Sequence, residues 1–239
     1  MRALLLAAGL GTRLRPLTNS LPKCLVTVQG KTLLSYWFDL LFEAGIERVL
    51  VNTHYLPEVV REFVKNSPYS NQVDLVHEDI LLGTGGTILA NKQWFKGEDF
   101  LVAHADNLTV FNAQEFIEKH TIRPSQCAIT MMTFDTDSPK TCGIIEEKNG
   151  VVIAFHEKLP NPIGNLANAA VYIFETSVIN FIESQNKSII DLSTMVIPEY
   201  IGRIFTYHNK NYHRDIGSIE SLTKAEKEFR FIKGLFDEK

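Results

Sequence analysis

The sequence lacks most of what would place it at a membrane, on nucleic acid or in an oxidising compartment. Its three cysteines, Cys24, Cys127 and Cys142, are odd in number and show no C-x-x-C spacing. Neither a disulfide framework nor a cysteine zinc site is expected, and a reducing cytoplasm is the simplest compartment. No apolar run approaches the ~20 residues that span a bilayer. The opening run, Ala3 to Ala7, is short for a signal segment and is followed almost directly by Arg13 and Arg15, so it reads as a core strand. The net charge of −4 provides no global basic field, which argues against nucleic acid and anionic lipid as partners. Any phosphate site must therefore be a local cluster of cations. No internal repeat, linker or low-complexity segment divides the 239 residues, and one α/β domain is expected.

What is present is concentrated in Met1 to Lys23, MRALLLAAGLGTRLRPLTNSLPK. A buried strand breaks at Ala8-Gly9-Leu10-Gly11-Thr12, where glycines permit a sharp turn and close approach to a ligand. Successive main-chain N–H groups in such a loop can cradle an anion. Arg13, Arg15 and Lys23 follow, with Pro16 and Pro22 stiffening the connection. The dinucleotide fingerprint is excluded, because it needs a third glycine and an immediate helix; the P-loop is excluded because no Gly-Lys-Ser/Thr follows. The full string L-A-A-G-x-G-T-R-L-x-P-x-T…P-K resembles the signature of the sugar-1-phosphate nucleotidylyltransferases, with Ala8 where many members carry glycine.

Beyond Lys23 the pattern alternates. Leu33 to Phe42 recurs at helical spacing, Val49 to Val51 reads as a strand, and Pro57 opens a second helix. Val73 to Val76 is a strand, followed by a glycine-rich stretch at Leu82 to Thr87. Further strands are Phe100 to Ala103 and Ala128 to Thr133. Lys148-Asn149-Gly150 between two apolar runs predicts a hairpin. A strand at Ala169 to Phe174, helices at Ser177 to Glu183 and Ile190 to Tyr200, a strand near Ile204 to Tyr207 and a terminal helix complete the chain. The expected fold is a Rossmann-like α/β domain spanning 1–239. Its central sheet is mixed but mainly parallel and flanked by helices, with a small β-hairpin lobe over one end, at the sugar site. A nucleotide-binding part is expected at about 1–125, a sugar-phosphate part at about 126–217, and the terminal helix at 218–231.

In open parallel sheets, ligands lie beyond the carboxyl ends of the strands. Ala8, Gly9, Gly11, Thr12, Gly83, Thr84, Gly85 and Gly86 are the expected nucleotide-binding residues, the last four as a loop whose backbone meets the base. Arg13, Lys23 and Asp106 are the expected catalytic residues. The resemblance extends to Asp106-Asn107 after its strand and to Asp215 in Arg214-Asp215-Ile216-Gly217, and implies that both carboxylates hold Mg²⁺, with Mn²⁺ as a substitute. An Asp after a strand also serves as a helix cap. Glu157-Lys158 resembles the family's Glu-Lys-Pro, and Asn168-Ala169-Ala170 resembles its Asn-Ala-Gly. With Gly143 these are the implied sugar-phosphate contacts.

The resemblance implies transfer of a nucleotidyl group from a nucleoside triphosphate to a sugar 1-phosphate, releasing pyrophosphate. The string Leu-Gly-Thr-Gly-Gly resembles that of the guanylyltransferases, which implies GTP with mannose- or heptose-type sugar phosphates; UTP, dTTP or CTP, including with a non-sugar phosphate acceptor, are the alternatives. Asp135-Thr136-Asp137 mimics the D-x-D motif of glycosyltransferases, a competing reading that leaves Gly9 to Lys23 unexplained. A silent nucleotide-binding regulator is the third. His208 and His213 lack a further ligand that would make them a zinc site. The expected partners are small molecules, and self-association into a homo-oligomer is left open.

Overall fold

The computed structural model describes the backbone of residues 1–236 and side chains as far as Phe231. The first strand, β1 (Arg2–Leu6), is apolar from Ala3 onward because both of its faces are covered. Ala3 and Leu5 enter one core and Leu4 another, as in a parallel strand between two helical layers. A small ribbon of β2 (Thr27–Val28) and β3 (Lys31–Thr32) turns at Gln29 and Gly30, both at positive φ (51° and 77°). Thr32 then caps α1 (Leu33–Glu43), its hydroxyl accepting from the Ser35 amide at 3.1 Å. The alternation continues through β4 (Val49–Thr53), α2 (Pro57–Lys65), β5 (Val73–His77), α3 (Gly83–Ala90), β6 (Phe100–His104), β7 (Asn107–Val110) and α4 (Ala113–Thr121). The second half comprises β8 (Ile129–Asp135), β9 (Gly143–Lys148), β10 (Val151–Glu157), β11 (Leu166–Phe174), α5 (Ser177–Ser184), β12 (Ile204–His208), β13 (Tyr212–Asp215) and α6 (Ile219–Phe236). Among the described residues no helix is long and apolar enough to cross a membrane.

The main sheet runs β5-β4-β1-β6-β11-β8-β12-β10-β9. From β5 to β6 all neighbours are parallel, as the alternating pattern predicts. From β11 onward the pairs are antiparallel except β12 with β8, so the mainly parallel expectation holds for the first half only. The hairpin turns at Asn149 and Gly150, at φ 54° and 74°, as Asn-Gly predicts. It is not a separate lobe. β10 bonds to β12, and β9 touches β11 at Ala167–Ile144, so the hairpin extends the main sheet and curls it back on itself.

The helix expected over Ile190 to Tyr200 is also corrected. The Ile190 and Leu192 amides donate to Leu82 O (3.0 Å) and Thr84 Oγ1 (2.7 Å), which removes the start of the helix. A five-residue wide turn at Leu192–Val196 and a tight one at Ile197–Tyr200 remain, the latter carrying Pro198.

One core lies under α1, α2 and α4, with Trp37, Phe38, Val60 and Phe116; the other lies under α3 and α5, with Ile88, Val178 and Ile182. A third core has the most bearing on function. Leu14, Val26, Leu108 and Ile216 close on Ala225 and Phe229 of α6. Truncating one buried leucine of this kind costs about 2–5 kcal/mol. The core therefore fixes the Gly9 to Lys23 segment against the strands that follow Asp106 and precede Ile216.

Candidate active site

The loop after β1 is held from behind. The Ala7 amide donates to Asn52 Oδ1 at 2.7 Å. Gly11 has φ +62°, and a Cβ there would lie 3.1 Å from Thr18 Cγ2 and 3.3 Å from Lys23 Cβ, so the turn requires glycine. Its carbonyl accepts from Thr18 Oγ1 at 2.7 Å, and Tyr55 donates to Thr18 O at 3.0 Å. Gly9 has open space on its Cβ side, leaving the front of the loop clear for a ligand. Thr12 and Arg13 begin one tight turn, Thr12–Leu14.

A cavity of about 240 Å³ opens beyond this loop, lined by Ala8, Gly9, Glu78, Gly83, Thr84 and Asp106 among others. Its floor is a polar network that the sequence reading missed. The buried Glu78 carboxylate accepts from Asn52 Nδ2 (2.9 Å) and Thr87 Oγ1 (2.6 Å) through Oε1, and from the Leu82 amide (3.2 Å) through Oε2. Asn52, Glu78 and Thr87 are far apart in sequence, and no local pattern joins them.

The glycine string is not a loop: Gly83 to Ala90 is helical. Gly83 and Thr84 line the cavity, but the Gly85 and Gly86 amides donate to Ile190 O at 2.8 and 3.1 Å. A Cβ at Gly85 would sit 2.8 Å from Ile190 Cγ2. Gly85 and Gly86 are therefore packing glycines against the 190 segment, and their expected contact with the base is withdrawn.

Asp106 and Asp215 are brought together by a second ribbon absent from the sequence reading. β13 pairs with β7, placing Asp215 opposite Asn107, and the Ile216 amide donates to Asp106 O at 3.1 Å. Lys23 lies between the carboxylates, donating to Asp106 Oδ2 in a short contact and reaching Asp215 Oδ1 at 3.4 Å. Burial alone would lower the Lys23 pKa, but the charges of Asp106 and Asp215 outweigh it and raise it. Burial likewise opposes ionisation of Asp106, yet Lys23, followed by His104, holds its carboxyl below the usual range. Two carboxylates around one buried cation match a hard divalent ion, which takes one or two carboxylates and completes its shell with water and phosphate oxygens. Asp106 and Asp215 would hold it.

Arg13 and Asp215 line a second cleft of about 260 Å³ on the other side of this pair. Among the described residues the Arg13 guanidinium has no hydrogen-bonded partner. A Cβ at Gly217 would lie 2.9 Å from Arg13 Nη2 and 2.7 Å from Asp215 Oδ2, so the glycine leaves room for both groups. The His213 ring lies against Phe134, with centroids 4.3 Å apart and planes tilted by 51°. Burial holds its pKa down at about 3, so it packs as a neutral ring.

The four expected sugar-phosphate residues converge. Glu157 ends β10 opposite Gly143, where a Cβ would lie 2.7 Å from Glu157 Oε2. The Ala167–Ile144 pair brings Asn168 alongside. Asn168 is fixed by donating to Tyr172 OH (2.6 Å) and accepting from the Ala170 amide (2.9 Å). Lys158 rests on its neighbour Glu157 at 3.1 Å. The D-x-D carboxylates are otherwise engaged. Asp137 pairs with Lys224 and, at 3.0 Å, with Arg214, which depresses its pKa strongly; Asp135 lies 3.5 Å from His208.

Over 229 residues the chain is 30% identical to the mannose-1-phosphate guanylyltransferase of Mycobacterium tuberculosis, covering 93% of this chain and 63% of that protein. Over 194 residues it is 33% identical to mannose-1-phosphate guanylyltransferase 1 of Arabidopsis thaliana, covering 79% of this chain and 54% of that one. It thus spans between 54% and 63% of the length of these relatives. HddC from Yersinia pseudotuberculosis, in its structure complexed with GMP-PN, superposes with a TM-score of 0.79 at 25% identity, over 95% of this chain and 99% of that one. Residues 2–230 match the nucleotidyl transferase family, and by that match the chain belongs to it.

Proposed function

We propose that this chain transfers a nucleotidyl group from a nucleoside triphosphate, GTP by preference, to a sugar 1-phosphate, giving an NDP-sugar and pyrophosphate. The observation that carries the reading is the juxtaposition of the Gly9–Gly11 loop, Lys23 and the Asp106–Asp215 pair between two cavities. A sugar-phosphate oxygen attacks the α-phosphorus in line and pyrophosphate leaves, so no protein nucleophile is needed. The protein's task is to hold two mutually repelling anions in register and to meet charge as it develops. The Gly9 to Thr12 backbone and Lys23 would hold the triphosphate, and Arg13 the departing pyrophosphate. Lys158 would hold the sugar phosphate, with Glu157 and Asn168 towards the sugar hydroxyls and the Gly143 backbone beside them. A bound Mg²⁺ supplies charge neutralisation at the reacting phosphates.

Glu78 supports guanine. Its carboxylate is an acceptor only, with capacity left on Oε2. Guanine presents N1–H and its 2-amino group side by side, whereas uracil and thymine flank a single N3–H with carbonyls that a carboxylate repels. The names of the guanylyltransferase relatives agree with this choice and support a mannose-type acceptor, with a heptose-type one as the alternative. The test is pyrophosphate release across four NTPs and a panel of sugar 1-phosphates. GTP should have the highest kcat/KM; another base clearly ahead of it overturns the assignment, and no release with any pair overturns the reaction.

A further inference from the structure

The arrangement around Lys23 raises the question of how a metal could enter. One ammonium stands between Asp106 and Asp215, in the position a divalent ion would share. The Lys23 backbone is tied down: the Leu25 amide donates to Pro22 O at 2.9 Å and the Val26 amide to Lys23 O at 3.1 Å. Cys24 and Val26 beside it are buried, so the flexible four-carbon stem is the part free to move. The two carboxylates carry like charge, and the ammonium between them offsets their repulsion. A dication and an ammonium on the same oxygens repel each other, so a divalent ion bound there competes with the Lys23 contacts.

We propose that Lys23 is an internal counter-ion that keeps Asp106 and Asp215 assembled in the substrate-free protein, and that metal and ammonium exchange at this pair as nucleotide binds. The displaced ammonium turns to the incoming phosphates, a second half that rests on the nucleotidyl-transfer reading; the exchange itself does not. Substrate-free protein should therefore bind free metal poorly, with metal arriving alongside the triphosphate.

The test is Mn²⁺ binding, followed by electron paramagnetic resonance without nucleotide, to the wild type, Lys23→Met and Lys23→Gln. The neutral variants should bind Mn²⁺ at least about tenfold more tightly than the wild type, and Mn²⁺ should raise their melting temperatures more than it raises the wild type's. Equal or weaker Mn²⁺ binding by the variants overturns the exchange. If both variants are unfolded in EDTA, recovery of folding on adding Mn²⁺ supports it and failure to recover overturns it. Pyrophosphate release by the wild type separates the two ideas: an inactive wild type with the Mn²⁺ gain intact sinks only the reaction. An active wild type without that gain sinks only the exchange.

Discussion

Lys23 is buried and grips carboxylates from two different parts of the chain, whereas Lys158 is 64% exposed and rests on its own neighbour, Glu157. The surroundings differ in the same way. The side proposed for the nucleotide is built on parallel strands and sealed by the core of Leu14, Leu108 and Ile216. The sugar side is built on the curled antiparallel edge, and Leu159 and Ile163 beyond Lys158 are exposed. Ordering a long side chain at the moment of binding costs about 0.5–1.5 kcal/mol. On the proposed assignment the loop backbone and the Asp106–Asp215 pair of the nucleotide side meet that cost on folding, and Lys158 of the sugar side would meet it with each substrate. The comparison teaches that the charges of the first end are gathered by the fold, whereas Lys158 at the second is held only by its neighbour.

The sharpest break would come at Arg13, whose guanidinium has no hydrogen-bonded partner among the described residues and lines the cleft beside Asp215. Arg13→Ala should lower kcat about 10²-fold or more with a smaller change in the KM for NTP, because its charge is needed as pyrophosphate forms. Steady-state kinetics with varied NTP measures this, and near-normal turnover would remove Arg13 from the mechanism.

The carboxylates come next. Asp106→Asn and Asp215→Asn should each raise the metal concentration for half-maximal activity at least about tenfold. Asp106 should matter more, being the better enclosed, at 27% exposure against 55%. Full activity in excess EDTA would break the metal assignment for both residues.

Lys158→Ala should weaken sugar-phosphate binding about tenfold, the scale of one charge-assisted contact at an exposed site, and leave NTP binding nearly intact. Calorimetry with each substrate separately decides it. Equal losses for both would mean that Lys158 shapes the whole site and that the two ends are not independent.

The contrast also marks what the sequence could reveal. Ala3 to Leu6 shows its double burial in an unbroken apolar run, and Asn149-Gly150 announces its turn chemically. The signature stretch carried Arg13 and Lys23, and the structure brings Lys23 together with Asp106 and Asp215. Legibility fails where partners are distant. β7 and β13 are four-residue strands with mixed polar residues, too short for a periodicity to emerge. Glu78 is defined by Asn52 and Thr87, which meet only in the fold. Gly85 and Gly86 looked like a loop because glycine has two uses, turning the chain and admitting a neighbour, and here Ile190 makes it the second.

The smallest expected effect sharpens the view of the sugar side, which has one rigid part. Ala170 has φ +52° in the irregular stretch between Asn168 and Tyr172. Its amide holds the Asn168 side chain, and the sequences it resembles carry glycine there. Left-handed backbone costs an L-residue about 1–2 kcal/mol, while glycine loses more chain entropy on folding, about 0.5–1 kcal/mol. The small alanine side chain also packs against the core beneath α3 and α5. The net for Ala170→Gly is a gain of about 0.5 kcal/mol, read as a higher urea midpoint with an unchanged m-value. The KM for sugar phosphate should stay within about twofold, because the amide that holds Asn168 is retained. Ala170→Val should move the midpoint the other way, since a β-branched residue tolerates this conformation worst. If glycine lowers stability instead, core contact outweighs backbone strain at this position, and the adaptable end of the site is fixed by packing rather than by the turn.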